Sequence, residues 1–142
     1  MRVVAEKSEL PGDCDPFITL ANDARMRIRE IAPREMAKLK QSPVIIDVRE
    51  NDEFVQAHIS GARNVSRGVL ERKVKNIVPD PLSPILLYCS CGSGSVLAAD
   101  NLQKMGYQNV YSLKGGLSAW LEAGGIVETR RTLGSSREDC EG

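Results

Sequence analysis

The sequence is poor in aromatic residues, has a single histidine, carries no excess charge of either sign and holds no long apolar run. Aromatics make up 4% of its 142 residues, too few for a surface that stacks nucleic-acid bases. Lys and Arg number 19, as do Asp and Glu, so the formal net charge is zero. That balance supplies neither a basic footprint for nucleic acid nor an acidic solvating block. The apolar runs are only a few residues long, so no membrane partner is expected. The opening segment, MRVVAEKSELPGDCD, has no apolar stretch after Arg2 and is not expected to act as a secretory signal. A cytoplasmic protein is the expectation. The four cysteines are Cys14, Cys89, Cys91 and Cys140, and there is one histidine, His58. Their spacing fits no zinc site, and no metal is expected. A disulfide scaffold is not expected in a chain large enough to build its own core.

What is present fits one globular domain: 42% hydrophobic and 27% charged residues. Residues 1–27 read as a polar leader followed by a helix, 28–127 as the domain, and 128–142 as a charged, flexible tail. In the helix, Asp15 suits the cap and Pro16 the first helical position. Short extended segments are expected at 29–31, 44–48, 62–65, 85–88 and 109–113. The VIIDV and ILLY runs among them are continuous and apolar, as buried parallel strands are. Helical segments are expected at 33–39, 51–57, 68–78, 95–105 and 117–122. Ser95 is the expected cap of its helix and Gly106 its stop. Alternation of strand and helix predicts an α/β fold, a central parallel sheet of about five strands with helices on both faces, plus the N-terminal covering helix.

In such sheets, ligands bind outside the carboxyl ends of the strands. The ILLY strand delivers Cys89 to that edge. The loop Ser90, Cys91, Gly92, Ser93, Gly94 and Ser95 then leads into a helix. Small residues let backbone N–H groups converge, and the helix start adds partial positive charge. A thiol at that focus is expected to exist largely as thiolate, and the same donors suit a persulfide or a bound oxyanion. Taken alone, a cysteine at a strand end is a small buried hydrophobe, and glycines 92 and 94 are turn residues. Asp47, Arg49 and His58 read as structural support for loops, and Trp120 as core packing.

Four segments carry a more specific signal. DVRENDEF (47–54), HISGARNV (58–65), YCSCGSGS (88–95) and YQNVYSLKGGLSAW (107–120) stand in an order that resembles the rhodanese-homology family of sulfurtransferases. The resemblance covers about residues 28–127. It implies Cys89 as the nucleophile and Ser90, Cys91, Gly92, Ser93, Gly94 and Ser95 as the substrate-binding cradle. It implies that Cys89 takes a sulfane sulfur from a small anionic donor such as thiosulfate and passes it to a thiol or protein acceptor. No cofactor is implied.

The sequence departs from the family pattern at two positions. Gly94 stands where the family commonly carries a loop arginine, so weaker thiosulfate binding or a different donor is expected. Arg63, Arg67, Arg72 and Lys73 are candidates to supply charge from the neighbouring connection. Cys91 lies two residues past the nucleophile and is a possible resolving thiol, able to form a strained Cys89–Cys91 disulfide. Two other readings stand beside sulfur transfer. A phosphatase or arsenate reductase would need an arginine that neither position 94 nor 95 supplies. A non-catalytic or redox-sensing module would use the Cys89/Cys91 pair.

Overall fold

Ile85–Tyr88 forms the spine of the molecule, a strand in which all four side chains are buried. A strand apolar on both faces needs a layer on each side, and the computed structural model, which describes residues 15–130, supplies both. Ile85 and Leu87 face one core, with Leu70, Val74, Ala98 and Leu102. Leu86 and Tyr88 face the other, with Ile59, Leu113 and Leu117.

The chain opens with helix α1, Pro16–Arg25, where Asp15 caps the first turn by accepting from Phe17 N at 2.8 Å. Strand β1, Arg29–Ile31, and a 3-10 turn, Pro33–Lys38, follow. Then come β2, Val44–Asp47, helix α2, Asn51–Gln56, β3, Ala57–Ile59, and β4, Arg63–Asn64. A 3-10 turn, Arg67–Val69, leads into α3, Leu70–Ile77. The spine strand is β5; it is followed by α4, Ser93–Lys104, β6, Val110–Leu113, α5, Gly116–Glu122, and β7, Val127–Thr129.

Five strands make one sheet in the order β1-β6-β5-β2-β4, and every pairing in it is parallel. The expected five-stranded parallel sheet with helices around it is therefore observed. Helix α1 packs through the buried Ala21 and Ala24. Its exit is tied to α4 by Arg27, which reaches Asp100 at 2.8 Å. That ion pair holds the Asp100 carboxyl below its usual range, with Arg27 the main cause. Among the described residues, no helix is long and apolar enough to cross a membrane.

Three expectations need correction. The helix expected at 51–57 ends at Gln56, and Ala57–Ile59 is a strand that pairs antiparallel with Val127–Thr129. Both segments are three residues long, too short for a readable alternation. Glu128 and Thr129 therefore belong to the fold and not to a tail. Helix α4 begins at Ser93, capped by Gly92 at φ +103°, so Ser95 lies inside the first turn and not at the cap. The expected leader, residues 1–14, and residues 131–142 of the expected tail, with Cys14 and Cys140, fall outside the described residues.

Candidate active site

Cys89 follows directly on β5, at the carboxyl edge of the sheet, and its side chain is partly buried. Its Sγ accepts from Gly92 N at 3.1 Å and from Ser95 N at 3.3 Å. The loop must turn back sharply to bring those amides around, and Gly92 makes the turn in the left-handed region. A side chain there would also be crowded, since its Cβ would sit 3.1 Å from Gly115 N. Helix α4 begins at the next residue. Its first amides have no intrahelical acceptor, and the amide of Ser95 finds one in the cysteine sulfur. Two loop amides thus point at Sγ, at the start of a twelve-residue helix.

Ser95 contributes more than its amide. Its hydroxyl is fully buried, lies 3.5 Å from Cys89 Sγ, and is 2.8 Å from the Ser112 hydroxyl on β6. Ser112 is not among the residues the sequence singles out; it falls in the extended segment expected at 109–113. A polar residue in an otherwise apolar central strand was the available signal, because buried hydroxyls need partners.

Gly115 and Gly116, the cap and first residue of α5, let that helix hold the loop from behind. Leu117 N donates to Cys89 O at 2.9 Å, and Ser118 N donates to Ser90 O at 3.1 Å. The backbones approach so closely that a Cβ on Gly116 would meet Cys89 O at 2.5 Å and Ser90 O at 2.7 Å. The Gly115-Gly116 pair is what lets the last helix dock against the backbone of Cys89 and Ser90.

Asp47 and Arg49 lie beside the site and brace it. Asp47 is fully buried at the end of β2 and is gripped by Arg49 Nη2 at 2.8 Å and Arg49 Nε at 3.1 Å. Arg49 Nη2 also donates to Ala57 O at 2.6 Å. Burial disfavours the charged guanidinium, but the Asp47 carboxylate outweighs it and holds the Arg49 pKa above its ordinary value. Burial, reinforced by Asp47, likewise pushes the Tyr88 phenol well above its usual range. That phenol oxygen accepts from Ile59 N at 2.9 Å. Asn64 Nδ2 donates to the carbonyls of Asp47 and Arg49, which ties the two connections together.

His58 is placed elsewhere, between α2 and β7. Its ring stacks on Phe54 at 3.7 Å, Nδ1 donates to Phe54 O at 2.8 Å, and Nε2 meets Glu128 Oε1 at 3.0 Å. That contact is the main cause holding the Glu128 carboxyl below its usual range.

The mouth over the sulfur is an open hollow of about 450 Å³. Cys89, Ser90, exposed Cys91, Ser93 and Gly94 form its floor, with Phe17 and Ile18 of α1 as an apolar wall. Cys89 and Cys91 are both free thiols. Among the described residues, no group of three or more His, Cys, Asp or Glu side chains is placed to hold a metal ion.

Comparison with known proteins bears on this geometry. Residues 32–123 match the rhodanese-like domain. The chain is 39% identical over 87 residues to YqhL, an uncharacterized protein of Bacillus subtilis, an alignment covering 61% of this chain and 65% of that one. It is 34% identical over 94 residues to the thiosulfate sulfurtransferase GlpE of Coxiella burnetii, covering 66% of this chain and 85% of GlpE. Among solved structures, a thiosulfate sulfurtransferase of Pseudomonas aeruginosa superposes with a TM-score of 0.65 at 33% identity. That superposition covers 72% of this chain and only 20% of the Pseudomonas chain. A Rhodopseudomonas palustris protein of unknown function, described as a possible tyrosine phosphatase, superposes with a TM-score of 0.70 at 29% identity, covering 79% of this chain and 93% of that one.

Proposed function

This chain belongs to the rhodanese-like domain family, and we propose that it is a sulfurtransferase that works through a persulfide on Cys89. The observation that carries the reading is the pair of amide donors, Gly92 N and Ser95 N, aimed at Sγ. They hold negative charge where a nucleophile needs it, in the manner of an oxyanion hole. The names of the relatives support the same reading at the level of the family.

The chemistry has two halves. The Cys89 thiolate attacks the outer sulfur of a small anionic donor such as thiosulfate. A new S–S bond forms, the donor's own S–S bond breaks, and sulfite leaves with that electron pair. The persulfide anion keeps the single negative charge that the thiolate brought in. A thiolate acceptor, small or on a protein, then attacks the terminal sulfur and becomes a persulfide itself, and Cys89 leaves as thiolate. Nothing is oxidised or reduced overall, so no cofactor takes part. The amides of Ser93 and Gly94, in the first turn of α4, are unused by the helix and suit the outer sulfur.

Steady-state transfer from thiosulfate to cyanide, read as thiocyanate, tests the proposal. We expect double-reciprocal lines that stay parallel as the second substrate varies, the pattern of a substituted-enzyme intermediate, with activity abolished in Cys89→Ser. Intersecting lines, or turnover retained in Cys89→Ser, would refute it. The phosphatase reading is disfavoured at the same atoms: where an oxyanion-gripping arginine would be needed, the loop has Gly94 and Ser95, and the Ser95 hydroxyl is turned inward to Ser112.

A further inference from the structure

We infer that Arg67, from the connection ahead of α3, supplies the positive charge that the Cys89 loop lacks at Gly94 and so selects anionic substrates at the nucleophile. The donor-selection half of this rests on the sulfurtransferase reading; the electrostatic half does not.

Gly94 borders a small volume with two informative neighbours. A Cβ built on it would lie 3.7 Å from Cys89 Sγ and 3.9 Å from Arg67 Nη1. The nucleophile and a guanidinium therefore flank the same space, the space that a side chain at position 94 would fill. Backbone geometry does not demand the glycine. Its φ lies outside the left-handed region, and both distances are ordinary van der Waals contacts. Omitting the side chain leaves room for charge to arrive from outside the loop.

Arg67 is also uncommitted. Among the described residues its guanidinium has no hydrogen bond or ion pair, and its one ring contact is with Phe17, whose centroid lies 5.9 Å from Cζ. Carboxylates are nearby, in a hollow of about 540 Å³ that Arg67 shares with Asp23, Glu71 and Asp100. Each is engaged elsewhere. Asp23 and Asp100 pair with Arg27, at 3.1 and 2.8 Å. Glu71 accepts from Asn101 Nδ2 at 2.8 Å. Arg49, the guanidinium that lines the mouth over the sulfur, is held by Asp47 and Ala57 O. Glu53 at the rim is turned to the Glu50 amide at 3.1 Å. Arg67 is thus left with a planar, permanently charged fork and no local partner, the state suited to gripping an oxyanion. Phe17 steadies it from α1, which lies ahead of the segment that matches the family.

Alkylation of the native protein tests this without requiring turnover. Iodoacetate and iodoacetamide present the same leaving group, one with a negative charge and one without. Their rates at Cys89 are read by peptide mass mapping. In Arg67→Ala we expect the iodoacetate rate to fall on the order of three- to tenfold, as removal of one nearby charge implies, with the iodoacetamide rate unchanged. Arg67→Lys should keep most of the preference, and Gly94→Arg placed in Arg67→Ala should restore it. An iodoacetate-to-iodoacetamide ratio unchanged in Arg67→Ala overturns the inference. Equal losses with both reagents, the signature of a merely structural role, overturn it too. In parallel, Arg67→Ala should raise KM for thiosulfate with little change in kcat. If no variant, wild type included, takes sulfur from thiosulfate, the sulfurtransferase reading fails, and the alkylation ratio still decides the role of Arg67.

Discussion

The Ser95 hydroxyl lies 2.8 Å from the Ser112 hydroxyl, although one side chain belongs to the helix after Cys89 and the other to a neighbouring strand. Both residues are fully buried. The contact fixes the Ser95 side chain, and with it the first turn of α4, against the sheet. The same hydroxyl lies 3.5 Å from Cys89 Sγ. Ser95→Ala removes the hydroxyl and keeps the amide that donates to sulfur. It should cost about 1–2 kcal/mol of stability, because the Ser112 hydroxyl loses its partner in a dry environment. It should lower sulfur transfer on the order of tenfold. Denaturant melts and thiocyanate assays of Ser95→Ala, Ser112→Ala and the double variant check this. Additive losses from the two single changes would show that the hydroxyls are not coupled.

Gly116 sets a second constraint. Any side chain there collides with the carbonyl of Cys89, and the backbone sits at φ +59°. Gly116→Ala should therefore destabilise the protein by about 1–3 kcal/mol and push the Cys89 backbone out of place. Gly94→Ala is the matched control, since its Cβ meets only ordinary contacts. We expect a stability change in Gly94→Ala within about 0.5 kcal/mol. Comparable melts for the two variants would contradict the packing account.

The Arg27–Asp100 pair connects helix α1 to the body of the molecule, and it carries a pH dependence. Asp100 titrates below its ordinary value in the folded state, mainly through Arg27. Its contribution is complete above the unfolded carboxylate value, about pH 4, and is lost as pH falls below that. Asp100→Asn should remove this contribution, about 1 kcal/mol at neutral pH given the half-exposed Arg27 side chain. The difference between Asp100→Asn and wild type should shrink as pH drops from about 4 toward 2. Urea melts across that range check it. A difference that stays constant or grows on acidification would contradict the assignment.

Much of this architecture is legible in the sequence where burial imposes a pattern. VIID and ILLY announce two central strands because a parallel sheet covered on both faces leaves no polar alternation. Asp15-Pro16 announces the start of α1 because capping chemistry is local. The short strands β3 and β7 are not legible because three residues are too few to show a period. The helix starts ahead of the expected Ser95 cap because glycine at +103° caps it by conformation alone. At the site, Cys89 and its loop could be read from order along the chain. The contributions of Ser112, Gly116 and Arg67 depend on elements meeting in space, and no local spacing encodes that. Four candidate cations stand between positions 63 and 73, and only coordinates separate Arg67 from Arg63, Arg72 and Lys73.

The most direct test is the intact mass of the protein after brief exposure to thiosulfate and removal of excess reagent, followed by peptide mapping. The account predicts a gain of one sulfur atom on the Cys89 peptide of wild type and of Cys91→Ser, discharged by cyanide, and none in Cys89→Ser. A wild-type protein that takes up no sulfur from thiosulfate or from a polysulfide, or that yields only a Cys89–Cys91 disulfide, would contradict it.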